Sequence, residues 1–192
     1  GERVTQKALD MIDAGNNSKP LLKFLSRVIE NPREAAREEL LLFCEANGFM
    51  ISSEGMIVAY KKVRDDYMDK HSGTVRYRIG DTPEMDRLAV DDDRNRTCSS
   101  GLHFAALDYA TQFGNGRMMV VEVDPADVVA IPSDYANQKG RAWRLKVIAE
   151  ITDGVPLPKR EVYDHKPETD EWGDFGSEDC PDCLDCDCDD LD

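Results

Sequence analysis

The chain lacks most of the features that announce a chemistry. Three histidines among 192 residues leave little material for a histidine-built acid–base or metal centre. It has no Gly-rich phosphate loop, serine nucleophile elbow or paired His–Glu zinc motif, so the familiar hydrolase classes find no support. No apolar run approaches the ~20 residues a membrane-spanning helix needs. The opening GERVTQKALDMIDAG is charged and amphipathic rather than laid out as a secretory leader. Positive charge is also scarce, with 24 Lys and Arg against 39 Asp and Glu. The deficit is local: residues 161–192 hold fourteen acidic residues against one Lys, −13 of the total −15. Such a tail repels nucleic acid and anionic membranes, so direct sequence-specific DNA binding is not expected. It can instead solvate the chain or dock on a basic surface. The expected location is the cytoplasm.

What is present divides into three parts. Residues 1–50 read as helices. Val4, Ala8, Leu9, Met11 and Ile12 mark a first, and Leu21, Leu22, Phe24, Leu25, Val28 and Ile29 a second. Asn31 and Pro32 then suit the cap and first turn of a third. Residues 51–158 change texture to short apolar or alternating runs: Met56–Val63, 74–79, GLHFA, RMMVVEVD, PADVVAIP and GRAWRLKVIAEI, with ALDYATQFG a helix ended by Gly114. Residues 159–192 form an acidic, Cys-rich tail expected to be disordered. The fold class is therefore α+β, with N-terminal helices followed by a mixed sheet of about six strands and one or two helices.

The cysteines support one metal candidate. Cys44 lies in an apolar helical context and suits a small buried hydrophobe. Cys180, Cys183, Cys186 and Cys188 could supply four thiolates to zinc, although all four fall within nine residues where structural sites usually draw on two separated pairs. No resident cofactor is otherwise called for. In VDDDRNR, alternate carboxylates suggest calcium, but the Gly and terminal Glu of a calcium loop are missing. A solvated loop, or Asp–Arg pairing across the domain, fits better.

Two stretches could line a ligand pocket. In TCSSGLHFAALDYATQF, Gly101 suits a backbone conformation that a side chain would forbid. His103 follows on the same strand face as Gly101 and Ala105, where small neighbours leave room. It faces either a ligand or a core carbonyl. Tyr109 pairs with Phe113 at i, i+4, the pattern of a helix packed on a sheet. In SDYANQKGRAWR, Lys139, Arg141 and Arg144 form the densest basic cluster of the body, suited to a nucleotide phosphate, an acidic partner or a charged hairpin rim.

Several blocks together resemble the C-terminal part of the bacteriophage rIIB proteins. They are AYKKV, D-K-HSGT, VDDDRN-TCS-GLH, V-PADVV-IP-DY and the run Gln138, Lys139, x, Arg141, spanning roughly residues 20–150 in family order. The resemblance implies a phage-encoded protein linked to lysis inhibition and evasion of prophage exclusion, with a phage or host protein as partner. It would act in the infected cell's cytoplasm, free or held at the membrane periphery by that partner. It carries over no catalytic residue. A fainter likeness joins GLHFAALDYATQF to the strand–helix element of ADP-ribosyltransferases, which would set Gly101, His103 and Tyr109 beside an NAD-like nucleotide. Tyr60 then stands where that family has a His-Gly pair, and the catalytic glutamate could only be Glu122 or Glu150.

Overall fold

The computed structural model describes residues 18–47, 50–133 and 135–151. The helix expected over residues 4–14, the acidic tail and the zinc candidates Cys180, Cys183, Cys186 and Cys188 lie outside them. Helix α1 (Lys19–Glu30) starts with Pro20 in its first turn and buries Leu21, Phe24 and Val28, the i, i+3, i+7 stripe. Helix α2 (Glu34–Asn47) buries Ala36, Leu40, Phe43 and Cys44. Between them sits Asn31, expected to cap α2. Its Oδ1 does accept the Arg33 N–H at 2.9 Å, but the helix begins only at Glu34. The fully buried Asn31 amide instead donates to Pro125 O at 2.8 Å and Val128 O at 2.7 Å, fastening the interhelix turn to the sheet.

Six strands follow: β1 (Ile57–Val63), β2 (Leu102–Ala105), β3 (Arg117–Val123), β4 (Val128–Ala130), β5 (Lys139–Ala142) and β6 (Lys146–Ile151). A short helix, α3 (Leu107–Gln112), joins β2 to β3. The sheet order is β4-β5-β2-β1-β3-β6, and every pairing between these strands is antiparallel. Strands β1 and β3 pair over seven residues inside the sheet and are buried along most of their length, as strands covered on both faces should be.

The connection from β5 to β6 bends this sheet. Only Trp143, Arg144 and Leu145 separate them in sequence, yet they stand four strand positions apart. Flat, those four spacings would measure ~19 Å at ~4.8 Å each. Four Cα–Cα steps reach at most ~14 Å. The sheet must curl until its two halves approach. Residues 80–85 strap the gap: Gly80 N donates to Val147 O, Val147 N to Asp81 O, Leu145 N to Pro83 O and Met85 N to Trp143 O.

The curl encloses one large core with contributions from all six strands. Ala59, Val63, Phe104, Val121, Val128, Ala142 and Val147 meet Phe24, Leu40 and Phe43 of the helices. The Phe43 and Phe104 rings pack edge to face at 5.6 Å. Gly140 makes this possible, because a Cβ there would run into the Phe104 ring. Glu39 of α2 accepts the Ile131 N–H at 2.9 Å, closing the helical layer over the end of β4. The opposite face carries a smaller cluster of Val58, Tyr60, Ala105, Met118 and Val120 beneath Ala110 of α3.

One expected strand is absent. Residues 74–79 make only an isolated bridge, Arg76 to Met68. The alternation is genuine, since Tyr77 is buried and Ile79 exposed. However, the Asp69 carboxylate takes the N–H groups of Ser72, Thr74 and Val75 at 2.6–3.1 Å, removing donors a strand ladder would use.

Replacing Asn31 with Ala strands the Pro125 carbonyl in the interior and leaves that of Val128 only the longer bond from Arg87 Nη2, at 3.3 Å. Urea unfolding should show stability lower by roughly 1–3 kcal/mol with an unchanged m-value. A variant as stable as the parent would deny Asn31 this role.

Candidate functional site

The six residues singled out in the sequence assemble on the smaller-core face of the sheet. Tyr60 of β1 pairs with Ala105 of β2, while His103 pairs with Arg141 and Ala105 with Lys139 of β5. Strand alternation therefore turns Tyr60, His103, Lys139 and Arg141 to the same side. Tyr109 of α3 lies over them, 5.8 Å from Lys139 Nζ and 6.2 Å from Phe113. Gly101, at φ +151°, lets the chain enter β2, and a Cβ there would sit 3.0 Å from Val90 Cγ1 and 3.1 Å from Arg141 Cβ. The Arg141 stem thus crosses the space a side chain would fill.

Arg141 is fully buried, and its guanidinium donates to Arg96 O at 3.0 Å and Asp93 O at 2.6 Å. It braces the loop over residues 91–100 from beneath. Asp91 braces the same loop from within. Its carboxylate accepts from the Ser99 hydroxyl, from Asp93 N at 2.8 Å and from Arg96 Nη1 at 3.1 Å. These bonds, the Ser99 hydroxyl foremost, hold its pKa down to about 2. Asp92 faces Arg33 at 3.4 Å. The calcium-like spacing thus corresponds to Asp–Arg pairing and loop bracing. Among the described residues no group of three or more His, Cys, Asp or Glu side chains could hold a metal.

His103 is half-buried, and its pKa falls to about 3. Burial is the main cause, followed by the charges of Lys61, Arg141 and Lys139, with a backbone hydrogen bond at Gly101 opposing. The ring is neutral at physiological pH and too weak a base to hold a proton there. The sequence reading missed Lys61, which donates to His103 O at 3.0 Å and lies 4.7 Å from the Tyr77 ring centroid. Burial lowers its pKa to about 8 against the pull of Asp69. Period-two counting could have found it, because Lys61 shares a strand face with Ile57, Ala59 and Val63.

Of the two glutamates that an ADP-ribosyltransferase likeness would require, Glu150 stands on the other face of the sheet and Glu122 on the same face as Tyr60. Glu150 pairs with Met119 on the large-core face of β6, three strand positions from β2, and binds Arg117 at 2.8 Å and Tyr67 Oη at 3.2 Å. Glu122 lies on β3 opposite Val58 and Lys146, on the smaller-core face but two strands from His103. A cleft of about 500 Å³ opens beside α3, but Tyr60, Gly101, His103, Tyr109, Lys139 and Arg141 are not among its lining residues.

The sign of the pH dependence follows from His103. The unfolded chain takes up a proton below its ordinary pKa of 6.5, whereas the folded chain does so only near 3. This contribution is complete above pH 6.5 and is lost as pH falls from 6.5 towards 3. Asp69 and Asp91, both held at about 2 against 3.8, add a second loss below pH 4. Thermal melts of His103→Gln should therefore be flat between pH 6.5 and 4.5, where the parent declines, and retain the limb below pH 4. A parent that is itself flat above pH 4.5 would contradict the neutral imidazole.

A family model described as "Bacteriophage T4 protein rIIB" matches residues 2–160. "Protein rIIB" of Enterobacteria phage T4 is 36% identical over 152 residues, covering 78% of this chain and 49% of that protein. The chain thus spans about half the length of this curated relative. No solved structure matches it.

Proposed function

Since the chain belongs to the bacteriophage T4 rIIB family, we propose that it works through protein contacts, modulating lysis timing or countering a host or prophage defence, with no catalytic step assigned. The observation that carries this reading is the engagement of the would-be reactive cluster in holding the fold. Arg141 braces the loop over residues 91–100, His103 is kept neutral, and Glu150 is tied to Arg117 and Tyr67. Meanwhile the large apolar side chains of Leu22, Ile29, Leu42 and Leu88 stand exposed. Among the described residues no helix is long and apolar enough to cross a membrane. The proposed setting is the infected cell's cytoplasm, with any membrane contact made through a partner.

A second reading draws on the shared sheet face of Tyr60, Gly101, His103, Tyr109, Lys139 and Arg141: a nucleotide pocket of ADP-ribosyltransferase type. The two readings separate in one set of measurements. On the first, Tyr60→Phe, His103→Gln and Glu150→Gln proteins leave lysis timing in infected cultures at the parental value and capture the same partner. Millimolar NAD then leaves the melting temperature unchanged. Loss of the lysis effect in a folded variant of this set, or a rise in melting temperature with NAD, would favour the pocket, because ligand binding to the folded state must stabilise it.

A further inference from the structure

Away from His103, two clefts adjoin on the α3 side of the sheet and share Asp65 and Gly116. The larger, about 500 Å³, is walled by the apolar side chains of Leu107, Met118 and Ile151. Four cations line the pair. Arg64 is matched to Asp66 at 3.0 Å and Arg117 to Glu150 at 2.8 Å. Lys62 is half-buried, and its ammonium makes no hydrogen bond or ion pair with any described residue. Lys70 donates to Phe113 O at 2.8 Å and lies 5.5 Å from the centroid of that ring, itself 52% exposed. Burial and the neighbouring Lys62 charge both disfavour the Lys70 ammonium, and Asp65 opposes them only in part. Two lysines of like charge therefore flank an apolar-walled opening with an uncommitted positive charge.

The position of this opening along the chain indicates what fills it. Ile151, on its wall, is the last described residue before a segment of opposite character. Residues 161–192 carry a net −13, and within them EWGDF sets Trp172 and Phe175 among carboxylates. Twenty residues from Ile151 span up to ~66 Å when extended, so reach does not limit the contact. Tethering raises the local concentration to the order of millimolar, so even a weak contact would be populated.

We propose that the Lys62–Lys70 cleft is a seat for an acidic, aromatic-bearing peptide, and that its occupant is this chain's own segment 161–192, bound in cis. Carboxylates of the segment meet Lys62 and Lys70, while Trp172 or Phe175 covers Leu107, Met118 and Ile151. This does not depend on the function proposed above.

Zero-length carbodiimide coupling of the full chain, followed by peptide mapping, tests it. Lys62 and Lys70 should form amides with carboxylates of 161–192 in several-fold higher yield than the exposed Lys146 does. The yield should collapse at ~1 M salt, where the screening length falls to ~3 Å. Trp172→Ala with Phe175→Ala keeps every reactive group and should still lower the yield several-fold. Equal yields at Lys146, or no effect of the aromatic substitutions, would overturn the seat. In a mixture of ¹⁴N- and ¹⁵N-labelled chains, links formed only between molecules would overturn the cis arrangement.

Discussion

Three residues, Trp143 to Leu145, impose the shape on which the rest of the structure depends. They must carry the chain between strands that stand four positions apart, and this works only if the sheet curls. The curl gives the sheet an inside and an outside. Phe24, Leu40 and Phe43 cover the inside with the two N-terminal helices, so helices and sheet share one core. The outside keeps only the short α3 and the smaller apolar cluster. Both the candidate cluster and the lysine-flanked cleft lie there, where fewer elements cover the strands.

Much of this could be read from the residues. β1, β2, β3 and α3 fall where apolar runs and the turn at Gly114 put them, because each is specified by neighbours a few positions away. The failures have a common cause in partners distant along the chain. GRAWRLKVIAEI alternates imperfectly and reads as one strand, yet it is two strands on different sides of the sheet. Residues 74–79 alternate but lose their ladder donors to Asp69. In the candidate site, the common face of Gly101 and His103 was legible. The bracing by Arg141 was not, because its carbonyl partners lie 45 and 48 residues away.

The blocks that carry the family resemblance acquire a physical meaning in this light. HSGT is the turn gathered around the Asp69 carboxylate, and VDDDRN with TCS is the loop held by Asp91 and Arg141. At the start of PADVV, the Ala126 N–H donates to the carboxylate of the preceding Asp124 at 2.9 Å, setting the turn that leads into β4. Each block marks a place where a side chain holds the backbone. A signature of this kind identifies an architecture without naming a reaction.

The sheet order also sets a problem of timing during synthesis. β2 lies between β1 and β5, but its β5 partner is made only after α3, β3 and β4. At ~5–20 residues per second, β2 waits about 2–7 s on the ribosome with one side unpaired. Until Arg141 emerges, the loop over residues 91–100 also lacks its internal brace. The nascent chain therefore passes through a stage with an open, apolar strand edge, when chaperone capture and misassembly with a neighbouring chain compete with completion of the fold.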